Sequence, residues 1–227
     1  MKIVFLNTLD AEITEPLRAF LQKHIVDTDV FCFQECYGNM RALFAEFAAP
    51  FTEISGTKQM QSEDSSFTNI TLVRNTISIE DSSTNTDTSN TGLALFCTLQ
   101  YNGTLIHIAN VHGLPRPGKL DNPNRLQQSQ EIIDAFQNAK GIKIIGGDIN
   151  VDLDTESVAL FEKAGYKNLI RDFAIKTTRN EISWTKYPGN ELYYSDYVFV
   201  KDTEVTTFEV PPEIVSDHQP MILTVNL

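Results

Sequence analysis

Basic residues are in short supply: 18 Lys and Arg stand against 30 Asp and Glu, leaving a formal net charge of −12 over 227 residues. That balance argues against a surface that wraps duplex DNA by neutralising its phosphates. It leaves room for a local basic rim, or for a cluster of carboxylates that awaits a metal. Cysteine is scarcer still. Cys32, Cys36 and Cys97 cannot all pair, and their spacing suggests no zinc site, so they are expected as reduced core thiols. No apolar run approaches the roughly 18 residues needed to span a bilayer, which excludes a helical membrane protein. The opening Met1–Leu6 is apolar too briefly for the core of a secretory signal, so a cytoplasmic location is expected. Repeats are missing, as are Pro- or Gly-rich linkers. With 41% hydrophobic and 21% charged residues, 1–227 is expected to be one domain and a monomer.

The apolar residues that are present alternate between two periods. Lys2 to Leu6 reads as a strand, and Thr14-Glu15-Pro16 as a helix start with a Thr cap, continued by Leu17, Phe20, Leu21 and Ile25. Asp29 to Gln34 is continuously apolar at strand length and should be buried on both faces, followed by a helix over Asn39 to Phe47. From Phe51 to Leu99 the runs Ile70–Val73 and Leu93–Phe96 predict antiparallel sheet, while Glu80 to Asn90, almost wholly Asp, Ser, Thr and Asn, reads as an exposed loop. Asn102-Gly103 marks a tight hairpin between Leu93–Gln100 and Leu105–Val111. A helix over Arg125–Phe136, a strand over Ile142–Ile145, a helix over Thr155–Ala164 closed by Gly165, and strands over Asp196–Val200 and Met221–Val225 complete the pattern.

Polar residues stand at the ends of these buried runs: Asn7 after the first, Gln34-Glu35 after the second, His112 after Ile106–Val111, Gly146-Gly147-Asp148-Ile149-Asn150 after Ile142–Ile145, and Asp217-His218 before the last. Each by itself reads as one more solvated strand end. Sheets with helical crossovers, however, gather functional side chains at such ends. Brought together, the histidines, carboxylates and carboxamides match what a hard divalent cation with acid/base chemistry requires. The alternate Asp/Asn of Asp148-x-Asn150-x-Asp152-x-Asp154 does not make a calcium loop, because Leu153 stands where the turn glycine belongs and Ala159 where the bidentate Glu belongs. Asp152 and Asp154 are expected instead in turn and cap roles before Thr155.

Taken in order, Asn7, Phe33-Gln34-Glu35, Asn110-Val111-His112-Gly113, Gly147-Asp148-Ile149-Asn150, Ser195-Asp196-Tyr197-Val198-Phe199-Val200 and Ser216-Asp217-His218-Gln219-Pro220 resemble the successive motifs of the endonuclease/exonuclease/phosphatase family, which has the deoxyribonuclease I-like fold. The resemblance implies an α/β/β/α sandwich, four layers with two mixed sheets back to back, and phosphoester hydrolysis assisted by Mg²⁺ or Mn²⁺. It implies Glu35 as principal metal ligand, supported by Asn7 and Asp217. Asp148 would orient or deprotonate the attacking water, and Asn150 would donate to a phosphoryl oxygen. His218 would touch the same phosphate, held by Asp196. His112 would act as general acid or phosphate clamp, as in the deoxyribonuclease I and phosphatase branches, or would be structural.

The leading expectation is a phosphodiesterase or nuclease acting on DNA or RNA. The alternative is a phosphatase of a small phosphorylated molecule such as a sugar, inositol or nucleotide phosphate, and a non-catalytic binding module is remote. Two loops read as locally basic: Arg116, Lys119 and Arg125 against Asp121, and Lys167, Arg171, Lys176, Arg179 and Lys186 against Asp172 and Glu181. They would form a rim gripping substrate phosphates, with Arg116, Arg125 and Arg179 as the binding residues, or would be ordinary surface charge. Trp184, Tyr187, Tyr193 and Tyr194 would stack a base beside it, or pack.

Overall fold

Strands that are apolar at every position must be covered on both faces, and the chain is arranged to do so. The computed structural model describes residues 1–59, 66–85, 90–115, 117–188 and 192–227. In chain order the elements are β1 (Lys2–Asn7), α1 (Thr14–His24), β2 (Val30–Gln34), α2 (Gly38–Phe44), β3 (Phe51–Gln59), β4 (Ser66–Arg74), β5 (Ser78–Thr84), β6 (Leu93–Tyr101) and β7 (Thr104–His112). They continue with α3 (Pro123–Ala135), β8 (Ile142–Asp148), α4 (Glu156–Lys163), β9 (Lys167–Asn168), α5 (Leu169–Asp172), α6 (Glu181–Lys186), β10 (Asp196–Lys201), β11 (Val205–Glu209) and β12 (Met221–Val225). No helix among the described residues is long and apolar enough to cross a membrane.

The strands form two mixed sheets, in the orders β11-β12-β1-β2-β4-β3 and β5-β6-β7-β8-β10-β9. Each has a parallel pair at its centre, β1 with β2 and β7 with β8, flanked by antiparallel neighbours. Side chains alternate across each strand. On β1 and β2, Ile3, Phe5 and Cys32 join the larger core, which includes Ala94, Ile108, Ile144 and Phe199 of the second sheet. Val4, Leu6, Phe31 and Phe33 turn the other way, onto Leu17, Phe20 and Leu21 of α1 and Met40, Leu43 and Phe44 of α2. Ile132 and Ile133 of α3 and Val158 and Phe161 of α4 belong to the larger core with the second sheet. The result is the expected four layers. Burying a side chain such as Phe31 or Leu17 contributes roughly 1.5–3 kcal/mol.

The interior between the sheets is not wholly apolar. Gln34 Nε2 donates to Asn110 Oδ1 at 2.7 Å, while Asn110 Nδ2 donates to Phe33 O, Ile70 O and Thr71 Oγ1, and Asn69 Nδ2 donates to Asn110 O at 3.0 Å. This group ties β2 and β4 of one sheet to β7 of the other. The three cysteines are free and buried, and burial pushes the Cys97 thiol up to about 12.

Local expectations held unevenly. Asn102 (φ 49°) and Gly103 (φ 78°) form the β6–β7 turn, both in the left-handed region that a two-residue primed turn requires. Thr155 caps α4 by accepting from Val158 N, and Gly165 closes it at φ 89°. Thr14 is no cap: Ile13 holds that position, and the Thr14 hydroxyl donates to Ala11 O. The second helix ends at Phe44, short of the expected Phe47. Of the expected loop 80–90, Glu80–Thr84 lies instead in β5, an exposed edge strand paired with β6, and 86–89 lies outside the described residues. Asp154 accepts from Arg171, and Thr155 Oγ1 donates to Asp152 O; the carboxylate that meets the free N–H groups of α4 is Asp121, through Glu156 N and Ser157 N.

Candidate active site

The strand registers alone bring the polar ends together. Asn7 lies beside Gln34 on β1–β2, and His112 beside Asp148 on β7–β8, with Asp196 opposite Asp148 on β10. Gly147 permits this close weave: at φ 125°, a Cβ there would stand 2.2 Å from Val111 O. Glu35 follows β2 in a left-handed conformation (φ 55°), a strained state for a side-chain-bearing residue and one found often at functional sites. Asn150 shares it, at φ 62°.

Asn7 joins the two sheets. Its Oδ1 accepts from Leu9 N, which fixes the amide, and its Nδ2 donates to Glu35 Oε1 at 2.9 Å and Asp148 Oδ2 at 3.2 Å. Asp148 is buried and surrounded by donors: Oδ1 accepts from Ser195 Oγ (2.6 Å) and Asn150 N (2.9 Å). Its Oδ2 lies 3.7 Å from His218 Nε2 and 3.9 Å from His112 Nε2. Burial alone would raise this carboxyl, but Lys119, His218, His112 and the Ser195 hydroxyl hold it well below the usual carboxylate range.

His218 Nδ1 is 2.9 Å from both oxygens of Asp196, and Nε2 is 3.9 Å from Asp217 Oδ1. Burial opposes the charged ring, yet Asp196, Asp217 and Asp148 outweigh it and push the imidazole up to about 9. At neutral pH His218 is therefore an imidazolium whose Nδ1–H is held by Asp196 and whose Nε2–H faces the space between Asp148 and Asp217. His112 is arranged differently. Its Nε2 lies 3.6 Å from Glu35 Oε1, its ring packs edge-on against Phe67, and its buried Nδ1 has no hydrogen-bond partner among the described residues.

The residues brought together are thus Asn7, Glu35, His112, Asp148, Asn150, Asp196, Asp217 and His218. The three arginines fare otherwise. Arg116 lies outside the described residues. Arg125 is 1% exposed and gives its guanidinium to Leu114 O and Leu120 O, so it stands under the loop instead of on a rim. Arg179 is also buried, opposite His218 in an isolated antiparallel bridge. Arg171 is bonded to Glu162 and Asp154, and Lys186 to Glu12. Among the aromatics, Trp184 donates to Leu192 O with Tyr193 edge-on to it, and Tyr194 donates to Ile175 O. Tyr187 is half exposed beside the site: burial raises its hydroxyl, Lys186 opposes, and Asp217 and Glu35 reinforce the rise.

Two residues enter with more weight than their sequence suggested. Lys119, read as a rim cation, is 5% exposed; its Nζ donates to Asn150 Oδ1 at 2.6 Å and Ser195 Oγ at 2.7 Å. An ammonium has no acceptor to offer, so this bond fixes which way the Asn150 amide faces: Oδ1 to Lys119, with Nδ2 donating to Gly113 O at 3.0 Å and keeping one further N–H. Ser195 passes the same contact on to Asp148. A serine directly before Asp196 was the available signal for the second; a lysine after Pro117-Gly118 carried none for the first.

The carboxylates of Glu35, Asp148 and Asp217 suit a hard cation, being oxygen ligands. Asp148, Asp196 and His218 also offer ligand atoms within 4.8 Å of one another. There the imidazole nitrogen nearest Asp196 is already engaged with that carboxylate, so a cation fits better on the Glu35 side, where Glu35 Oε1 and Asp148 Oδ2 converge on the one Asn7 Nδ2 group.

Two mixed sheets between helices, with carboxylates, imidazoles and amides converging where their strands end, define the class of sandwich phosphoesterases. The match to the Endonuclease/Exonuclease/phosphatase family over residues 12–218 is the particular case, and the chain belongs to this family of hydrolytic phosphoesterases. No curated protein sequence matches it. Among solved structures, the mannosyl-6-phosphatase of Bacteroides thetaiotaomicron shares 15% identity at TM-score 0.76, covering 100% of both chains. The human Nocturnin catalytic domain with bound sulfate shares 16% at TM-score 0.74, covering 100% of this chain and 93% of that one. The D. rerio TDP2 complexed with single-strand DNA product shares 15% at TM-score 0.75, covering 100% and 99%. At such identities the likeness is one of fold.

Proposed function

We propose that residues 1–227 act as one domain that hydrolyses a phosphoester bond with the help of a divalent cation, Mg²⁺ or Mn²⁺. The observation that carries this reading is the buried imidazole of His218, held 2.9 Å from Asp196 and facing Asp148 across 3.7 Å. Glu35, with Asn7 and Asp217, would hold the cation, which when bound would polarise a phosphoryl oxygen. Asp148 would accept a hydrogen bond from the attacking water. Its ionised carboxylate is a weak base, so the proton would pass to it late, when the water oxygen has bonded to phosphorus and become acidic. The bond from phosphorus to the leaving oxygen would break with its electron pair on that oxygen, which takes a proton from His112. His218 and the remaining N–H of Asn150 would face the phosphoryl oxygens as charge gathers there.

The substrate reading moves with the arginines. Among the described residues of the expected rim, Lys119, Arg125 and Arg179 are buried and Arg171 and Lys186 are paired, which leaves Lys167 and Lys176 as the exposed cations outside an ion pair, few for tracking a polynucleotide backbone. This supports a small phosphorylated molecule, with Tyr187 beside the site, over a long nucleic acid. Plasmid DNA, single-stranded oligonucleotides, RNA, sugar phosphates and inositol phosphates, each with Mg²⁺, Mn²⁺ or EDTA, test it. Phosphate release from a small substrate that stops in EDTA is expected, and undiminished turnover in chelator contradicts it.

A further inference from the structure

Arg179 is 2% exposed, yet among the described residues its Nε and Nη1 find no hydrogen-bond partner and no carboxylate pairs with it. A buried charge left so is costly, and the backbone that carries it is tightly held. Thr178 Oγ1 accepts from both Ser195 N and Asp196 N at 3.2 Å, Thr178 N donates to Tyr193 O, and Gln219 N donates to Thr178 O. Asn180 Nδ2 donates to Ser216 O at 2.8 Å. The segment is stapled between the start of β10 and the approach to β12.

The bridge between Arg179 and His218 puts the two side chains on the same face. The Arg179 charge is felt both by the Lys119 ammonium and by the Tyr187 hydroxyl, and Tyr187 also feels Asp217 and Glu35. The guanidinium therefore borders the space that His218 faces, as a donor group without an acceptor.

Phosphate chemistry decides what fits it. An internal diester offers two non-bridging oxygens and one negative charge. A terminal monoester offers three, and about −1.5 to −2 charge at pH 7. The reading above already commits the cation, His218 and Asn150 to phosphoryl oxygens, which serves a diester without Arg179. We infer that Arg179 engages the third oxygen of a terminal phosphomonoester and selects that dianion over a diester. The inference rests on the hydrolytic reading and names its substrate class.

Calorimetry in Mg²⁺ at pH 8, with inorganic phosphate and dimethyl phosphate as probes, tests it on the wild type, Arg179→Met and Arg179→Lys. Phosphate should bind the wild type at least about tenfold tighter than dimethyl phosphate. Arg179→Met should erase that margin while dimethyl phosphate changes less than about threefold, and Arg179→Lys, charged but without the planar fork, should fall between. Without phosphate, Arg179→Met should melt no lower than the wild type, since it removes an unpaired buried charge. Equal losses for both probes, no loss for either, or a lowered melting point that phosphate does not influence would overturn the inference. If Arg179→Met does not fold, the ratio of the two affinities in Arg179→Lys decides in the same way. Selective phosphate binding without hydrolysis of any monoester would uphold the dianion site and remove the hydrolytic reading; diester hydrolysis without that selectivity would do the reverse.

Discussion

Asn7 and Asp148 come from different sheets, and their side chains meet at 3.2 Å, with Glu35 accepting from the same amide nitrogen. One Nδ2 group thus stands between two carboxylates. Replacing Asn7 by Ala should remove about 1–3 kcal/mol of stability, since it leaves acceptors facing each other without a donor. Asn7→Asp should destabilise the metal-free protein further by like charge, and Mn²⁺ should restore its melting temperature more than it raises that of the wild type. Thermal unfolding with EDTA and with Mn²⁺ checks both.

Asp196 and His218 should behave as one unit. Asp196→Asn can neither stabilise the imidazolium nor enforce its orientation, and should lower kcat/KM by about 10²–10⁴. The double variant should lose little more than His218→Ala alone, because residues that act together are non-additive. Losses that multiply would give Asp196 a separate task, such as holding a second cation.

With its imidazole pushed up to about 9, His218 binds its proton more tightly folded than unfolded. Its contribution to stability is then complete below about pH 6.5 and is lost as pH rises through about 9. In EDTA, the His218 ring proton signal should titrate near that value by NMR, and Asp196→Asn should move the midpoint down. A midpoint at or below 6.5 in the wild type would contradict the pairing seen here.

Lys119→Met keeps much of the side-chain volume and removes the ammonium from Asn150 and Ser195. Freed to rotate, the Asn150 amide should cost about 10–100-fold in kcat with little change in KM, while the melting temperature falls, since the buried Asp148 carboxylate, Asn150 Oδ1 and Ser195 lose the cation beside them. Steady-state kinetics and calorimetry on the same preparation separate the two effects.

The site was readable where chain direction and burial coincide. Asn7, Glu35, His112 and Asp148 each end a run of buried residues, and such runs write themselves as continuous apolar letters. β5 shows the opposite case: its exposed Asp81, Ser82 and Ser83 lie paired with β6 by backbone, so no apolar alternation betrays it. Arg125 and Arg179 were opaque for another reason. Where a long cationic side chain ends depends on which carbonyls or cavities the tertiary fold sets in reach, as Leu114 O and Leu120 O do for Arg125. Lys119 combined both difficulties, in a short turn with positive φ.

The polar group linking Gln34, Asn69 and Asn110 works as a dowel between two greased plates. Aliphatic faces alone are indifferent to small sliding, whereas a carboxamide loses its partners after an ångström of shear. Four residues from one sheet and four from the other share the labour at and just beyond the strand ends, so the tolerance of the whole assembly is set inside the sandwich, at a point no substrate touches.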